Sequence, residues 1–461
     1  AAPVEPSNAP TDSRGGVSLE GGVVSAKDGV TLQAGRDLVL PQQVVAAGTL
    51  LTGAGGNLTL AAGTQLQSVG NVTMRAGQAA TLDGAILTVA ALSLTSGNDL
   101  VQGSTGKLQG KQVQVSAGRD LAMGGALVST ADIHARATRD THVEGKLSTG
   151  GSLDLDAGRN LRIGASGQAD ASGKVRLLAA DDLSLTGTTR GDMGMRLEAG
   201  GQMDLSGTAA SVNGPLDLIA GRGMNLSADS QTLAGSVLQA RAGSTLMAAG
   251  TMTSLGDLIL EAAGNQQLAG QHFAAGNLII QAAGGLTTLA GSQQQANGSI
   301  LARADSGALA GTLVAGQAAT LRVAKDLTVD GTVLADAGAL EASSGGAMTL
   351  GSASALQAGG SLAAQAGSKL LANGTISGRQ DITLKAGTNA ELNGKTVAND
   401  TLRIDASDDL NIGETGLAQG SVSLLLRADQ DLRIAGIAGT AKGAEVGAGR
   451  GMLQAQAARH L

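Results

Sequence analysis

The sequence predicts an all-β chain, a right-handed parallel β-helix of about twenty coils of 20–22 residues. Three observations predict it: a phrase that recurs about every 21 residues, strict apolar/polar alternation on both sides of that phrase, and a composition without large core fillers. The chain has 461 residues with 72 Gly, one Phe and no Trp, Tyr or Cys. An ordinary globular core packed around aromatic rings is therefore unavailable, and Leu, Val and Ile must be buried in another way.

The phrase is clearest in Leu153-Asp-Leu155-Asp-Ala-Gly158-Arg-Asn-Leu161-Arg-Ile163, which reads L-x-L-x-A-G-x-x-L-x-I. Aligning its Gly gives Gly35, Gly55, Gly77, Gly97, Gly118, Thr138, Gly158, Ala180, Gly200, Gly221, Gly243, Gly264, Gly284, Asp305, Ala324, Gly345, Gly367, Gly387, Ser407 and Asp429. The nineteen steps cover 429 − 35 = 394 residues, a mean of about 20.7. A period of two on each side of the turn makes both flanks strands, with Leu155, Leu161 and Ile163 inward and Asp or Arg outward. A helical solenoid would need spacings of three and four over ten or more residues, which Gly at about one residue in six forbids.

No coil of this size holds a core of its own, so stacking must stabilise it, with each strand paired to its counterpart one coil later. Small residues, as in Gly164-Ala-Ser-Gly-Gln-Ala169, are expected to form a tight third side. At roughly 4.8 Å per coil, twenty coils would make a monomeric rod about 100 Å long. Residues 1–16 read as a Pro-rich flexible lead-in and residues 17–461 as one repeat array with no linker. The last residues, Leu453 to Leu461, begin a fresh copy of the phrase and stop within it, which reads as an array truncated at its C-terminal end.

Charge stands at 31 Lys and Arg against 38 Asp and Glu, net −7, which argues against a nucleic-acid partner. No apolar run approaches the roughly 20 residues of a membrane-spanning helix, so no membrane insertion is expected. The N-terminus lacks a signal-peptide pattern, and the absence of Cys fits export and cytosolic life equally.

Repeats with phrases such as Ala34-Gly-Arg-Asp-Leu38, Ala117-Gly-Arg-Asp-Leu121, Ala157-Gly-Arg-Asn-Leu161 and Gly56-Asn-Leu-Thr-Leu60 resemble the haemagglutinin repeats of filamentous haemagglutinin and related two-partner secretion exoproteins. The resemblance covers roughly residues 17 to 461. It implies a secreted or bacterial cell-surface adhesin rod, exported by an outer-membrane two-partner secretion transporter and attaching to host-cell glycans or receptors, or to other bacteria. Contact-dependent growth-inhibition exoproteins share these repeats, and there the rod would be a passive spacer presenting a distal receptor-binding or toxin domain. The Asn-Pro motifs of the family's secretion domain do not occur in this sequence.

Candidate binding residues fall in two groups. Arg119, Arg139 and Arg159 take the same place in three consecutive coils and should stack about 5 Å apart. Residues 107 to 176 carry ten basic residues, Arg136, Lys146 and Arg162 among them, against seven acidic ones. A sulphated glycan could lie along such a face; equally, Asp120, Asp140 and Asn160 could turn the Arg column into a solvated charge ladder. Arg190-Gly191-Asp192, expected in an exposed loop, has the form of an integrin-binding motif, although so short a motif also arises by chance in a Gly-rich chain.

Chemistry is otherwise scarce. Some β-helices cleave polysaccharides with clustered carboxylates, but the adjacent pairs Asp181-Asp182 and Asp408-Asp409 fall in the repeat's turn and read as turn residues. No catalytic residue, cofactor or metal site is assigned: His134, His142, His272 and His460 are dispersed, and no calcium-binding nonapeptide occurs. Asn57-Leu-Thr59, Asn71-Val-Thr73 and Asn225-Leu-Ser227 are possible sugar acceptors. The sequence thus reads as an adhesin rod and not as an enzyme.

Overall fold

Every regular element of the computed structural model is a β-strand, and the structure describes residues 16–18, 22–440, 444–448 and 453–455. The expected lead-in lies almost wholly outside the described residues. One coil shows the plan: a long strand Leu153–Ala157, a short strand Leu161–Ile163 and a third strand Gln168–Ala171. Each pairs in parallel with its counterparts in the coils before and after. Leu153 lies opposite Ile133 and Val175, Leu161 opposite Thr141 and Leu183, and Ala169 opposite Leu147 and Thr189. Three parallel sheets result, called here long, short and third.

The described residues divide into two compact units, one up to residue 223 together with 230–235, the other comprising 224–229 and the described residues from 236 onward. Each unit is by itself a β-solenoid of three parallel sheets. Alternation fixes which side chains enter the interior. In the coil above, Leu153, Leu155, Ala157, Leu161, Ile163, Ala169 and Ala171 are at most 4% exposed, while Arg162 faces water. Their burial, together with the ladders of main-chain hydrogen bonds between coils, offsets the entropy of ordering a chain with no other core.

All twenty expected anchors lie in the bend after the long strand, and eighteen of them share one column. Two do not. The pairing of Ala242 with Ala262 and of Ala262 with Ala282 places Ala263 and Ala283 beyond Gly243 in that column, and Gly264 and Gly284 one residue later. The reason is physical: the residue that closes each long strand, most often Ala, points into the interior and is held by its column. The residue after it faces solvent, so the glycine of the bend can shift by one.

The third side also differs from expectation. Gly164 to Gly167 form only a turn, and the tight side is a complete sheet whose inward column includes Leu108, Leu127 and Leu147 before Ala169. Where the turn into this sheet is longest, the chain needs a left-handed residue. Gly63, at φ +84°, fills that role, and Thr64 N donates to Ala61 O at 3.1 Å.

The interior of the second unit contains a polar interruption. Gln266 on the short sheet, with His272 and Gln294 adjacent in the third-sheet column, are each at most 1% exposed. Among the described residues, neither ring nitrogen of His272 and neither amide atom of the two glutamines has a hydrogen-bonding partner. Each such group costs about 1–3 kcal/mol, so these coils are the weak point of the unit's core. Burial pushes the His272 ring down to about 4.

Two outcomes are expected. Leu161→Ala should cost about 3 kcal/mol and Leu161→Asp more, with protease cutting that begins in the coils around residue 161; Arg162→Asp, on the outer face, should leave the digestion pattern of the parent. His272 should make the second unit acid-sensitive: its unfolded ring gains a proton near pH 6.5, whereas the buried ring resists until about 4. Stability should be complete above pH 6.5 and fall by up to roughly 3 kcal/mol as pH drops to 4. Urea titrations of the parent and His272→Leu over this range should show the dependence reduced in the variant; equal slopes would exclude His272 as its source.

Candidate functional site

The bends between sheets carry a side-chain ladder. Where the chain turns from the long to the short sheet, an Asp or Asn oxygen accepts the main-chain N–H at the same position one coil later. Asp37 Oδ1 accepts from Asn57 N at 2.7 Å, and Asn57 Oδ1 from Ala79 N at 3.2 Å. Further along, Asp140 Oδ1 serves Asn160 N, Asn160 Oδ1 serves Asp182 N and Asp182 Oδ1 serves Gln202 N, at 3.2, 3.3 and 2.8 Å. The second unit repeats the device at Asp326 and Asp409, bonded to Ala347 N and Asp431 N at 2.7 and 3.1 Å. These oxygens supply acceptors where the strand pairing is interrupted by the bend.

A second ladder of the same kind runs along the bend from the third to the long sheet. Asp132 Oδ1 accepts from Ser152 N at 2.8 Å, Asp257 Oδ1 from Asn277 N at 2.7 Å and Asn277 Oδ1 from Ser299 N at 3.0 Å. The phrase Gly-Asn/Asp-Leu therefore marks two different corners, Gly56-Asn57-Leu58 at one and Gly276-Asn277-Leu278 at the other. Sequence reasoning missed this role, although the Asp or Asn just before the inward Leu was its signal. Asn57 and Asn71, read as possible sugar acceptors, are ladder residues; Asn71 Oδ1 accepts from Ala91 N at 3.1 Å.

The Arg column lies on the first of these corners and is paired. Arg119 Nε donates to Asp99 Oδ1 at 2.7 Å, Arg139 Nε to Asp120 Oδ1 at 2.6 Å and Arg159 Nε to Asp140 Oδ1 at 3.0 Å. A second hydrogen bond from Nη2 joins each pair. Each arginine thus reaches back to a carboxylate of the preceding coil, and the same carboxylate anchors the main-chain ladder. The Arg119 guanidinium holds the Asp99 carboxyl below its usual range, and Arg159 does the same for Asp140. These side chains are half exposed, so water screens each pair.

The remaining basic candidates are spread around this corner. Arg136 faces outward on the long sheet, with Nε 3.9 Å from Asp156, in a shallow groove of about 430 Å³ that also holds His134 and Asp154. Arg162 faces outward on the short sheet and Lys146 on the third. Five of the six therefore flank one corner, while Lys146 stands apart. Near it, Glu144 is held below its usual range by the Ser166 hydroxyl, at 2.6 Å, and by His142, at 2.9 Å.

Arg190-Gly191-Asp192 is not displayed on a loop. Arg190 and Gly191 belong to the third-sheet strand Thr188–Gly191, Gly191 is buried between Ala171 and Ser211, and Arg190 Nη2 lies 2.8 Å from Asp192 Oδ1. The sequence suggested a turn because Thr-Thr-Arg-Gly lacks apolar residues, yet its inward column in this sheet is made of small and polar side chains. The paired carboxylates have ladder roles too. Asp182 and Asp409 accept main-chain N–H bonds, and Asp408 accepts from Gln430 Nε2 at 3.2 Å. Among the described residues no three His, Asp or Glu side chains converge as metal ligands, and His460 lies outside those residues.

What these features define is a stacked-repeat surface, in which outward positions recur coil after coil along three parallel sheets. The chain belongs to the haemagglutinin-repeat family, whose repeat matches residues 7–55, 45–119, 106–221, 211–287, 269–352 and 336–436. No curated protein and no solved structure matches it.

The ladder makes a direct prediction. Asp132→Ala should leave Ser152 N without its acceptor and cost about 1 kcal/mol in thermal or denaturant unfolding, whereas Asp132→Asn, which keeps an oxygen in place, should cost clearly less.

Proposed function

We propose that this chain is the rod of a filamentous adhesin, exported through an outer-membrane two-partner secretion transporter and borne on, or released from, the bacterial surface. The observation that carries this reading is the haemagglutinin repeat itself, matched in six overlapping segments from residue 7 to residue 436. The outward columns support it: they present long, periodic surfaces suited to distributed contacts with host-cell glycans or receptors. The family also favours a structural role over catalysis, and one carboxylate of each adjacent acidic pair, Asp182 and Asp409, serves as a main-chain acceptor in the corner ladder.

Within this reading, the corner bearing Arg119, Arg139, Arg159, Arg136 and Arg162 is the candidate contact for a sulphated glycan. Bidentate arginines suit sulphate, and their pairing with Asp99, Asp120 and Asp140 would be exchanged for pairing with the ligand. That same pairing favours a second reading, in which the column only braces the coils and the rod is a spacer for a distal domain. Heparin chromatography and adhesion of the isolated chain to host cells separate the two. For the adhesin, retention should fall steeply with salt and Arg119→Gln, Arg139→Gln and Arg159→Gln combined should weaken it, while changes at Lys325 and Lys385 should not. A triple variant that elutes with the parent, from a chain that does not adhere, supports the spacer.

A further inference from the structure

The second unit distributes its charge unevenly. Between Leu246 and Gly378 there are eleven Asp, Glu, Lys and Arg residues, and ten of them lie on the long sheet or the bends that flank it. The exception is Asp330, in the bend between the short and third sheets. The outer face of the third sheet is free of charge over seven consecutive strands, from Thr251–Ser254 to Thr375–Gly378. Phe273, Gln295, Val314 and Leu334 follow one another in one outward column, beside a column that includes Gln293 and Thr312. The one phenylalanine of the chain is thus spent outside the core, and on this face. In the first unit Lys107, Lys146, Asp170 and Arg190 interrupt this face, so its charge-free stretches are shorter, Val23–Ala26 to Ala85–Thr88 before them and Thr208–Ser211 and Gln231–Ala234 after them.

We infer that this face is a lateral docking surface for the same face of a second copy of the chain. Three arguments select that occupant. A chain of net charge −7 repels its copies, and a face without charge is where two copies can meet without bringing like charges together. The face is a ladder repeating every 4.8 Å or so, and an identical ladder stays in step with it over its whole length. Its β-branched and amide side chains are of the kind that interdigitate between facing sheets about 10 Å apart. Seven strands four residues wide give about 34 Å by about 13 Å, or about 900 Å² for the two copies together. This is close to the roughly 1,000 Å² at which specific interfaces begin, so the pair is weak and forms only as concentration rises. It would replace the monomeric rod expected from the sequence and is independent of any host ligand.

Sedimentation equilibrium of the full chain tests this. The weight-average mass should rise above the monomer with concentration, and Gln295→Lys with Leu334→Lys should return it to the monomer value. That variant lowers the net negative charge, so a loss of association cannot come from overall repulsion. The same change on the long sheet, Gln281→Lys with Gln365→Lys, should leave association intact. A parent that stays monomeric up to about 1 mM overturns the inference. So does association that survives the third-sheet pair or vanishes with the long-sheet pair. A monomeric chain that instead binds a neutral oligosaccharide such as cellohexaose, with binding abolished by Gln295→Lys and Leu334→Lys, would assign the face to a sugar and likewise overturn it.

Discussion

A coil of this protein can satisfy its main-chain N–H and C=O groups only against the coils on either side of it. That constraint governs everything else. Because partners are parallel and in register, each side chain meets the residues at its own position one coil away, and the molecule is a set of columns more than a set of local elements. A column's contents must suit their neighbours: Leu153 stacks between Ile133 and Val175, and the inward Ala at the end of the long strand stacks on its own kind. Where the chain bends and the main-chain pairing lapses, a side-chain oxygen takes over, which is why Asp or Asn appears so regularly beside the inward Leu.

Much of this was legible in the sequence. The inward residues of the short strands, the coil length and the parallel pairing follow from alternation and spacing, since both express the stacking constraint directly. Leu155, Leu161 and Ile163 lie where alternation placed them. The glycine of the bend was a poorer guide than the alanine before it, because solvent tolerates a shift of one residue and the interior does not; Gly264 and Gly284 show this. Two things were beyond reach. The partners of the Arg column include Asp99, twenty residues away, and whether an arginine reaches back or sideways depends on side-chain geometry that spacing does not encode. The burial of Gly191 depends on the small residues opposite it in adjacent coils, not on its own phrase.

The two units differ in where they place charge. Both bury polar side chains on inward columns, Thr52, Gln102, Thr141 and Thr189 in the first and Gln266, His272 and Gln294 in the second. In the first, charge is spread over all three sheets; in the second, between residues 246 and 378, it withdraws to the long sheet and its flanking bends, with Asp330 the exception. In the second unit the polar interior positions and the charge-free face fall on overlapping coils: the strand that buries His272 presents Phe273 to the outside. A strand alternates, so a change in what one face must do leaves the other face free to follow its own rule.

The corner ladders bear on how such a chain can change its length over generations. Excision of residues 141–160 would bring Leu161 opposite Leu121 and leave Asp140 next in line to Asp182, so that each column would close over the gap with a residue of the same kind. Loss of a single residue from a strand would instead turn the side chains beyond it in that strand to the wrong face, whereas the bends already absorb coil lengths of 20, 21 and 22 residues with the ladder bond intact. Unequal recombination between coils is therefore a mild event for this architecture, and arrays built in this way should differ from one another by whole coils and by small changes confined to the bends.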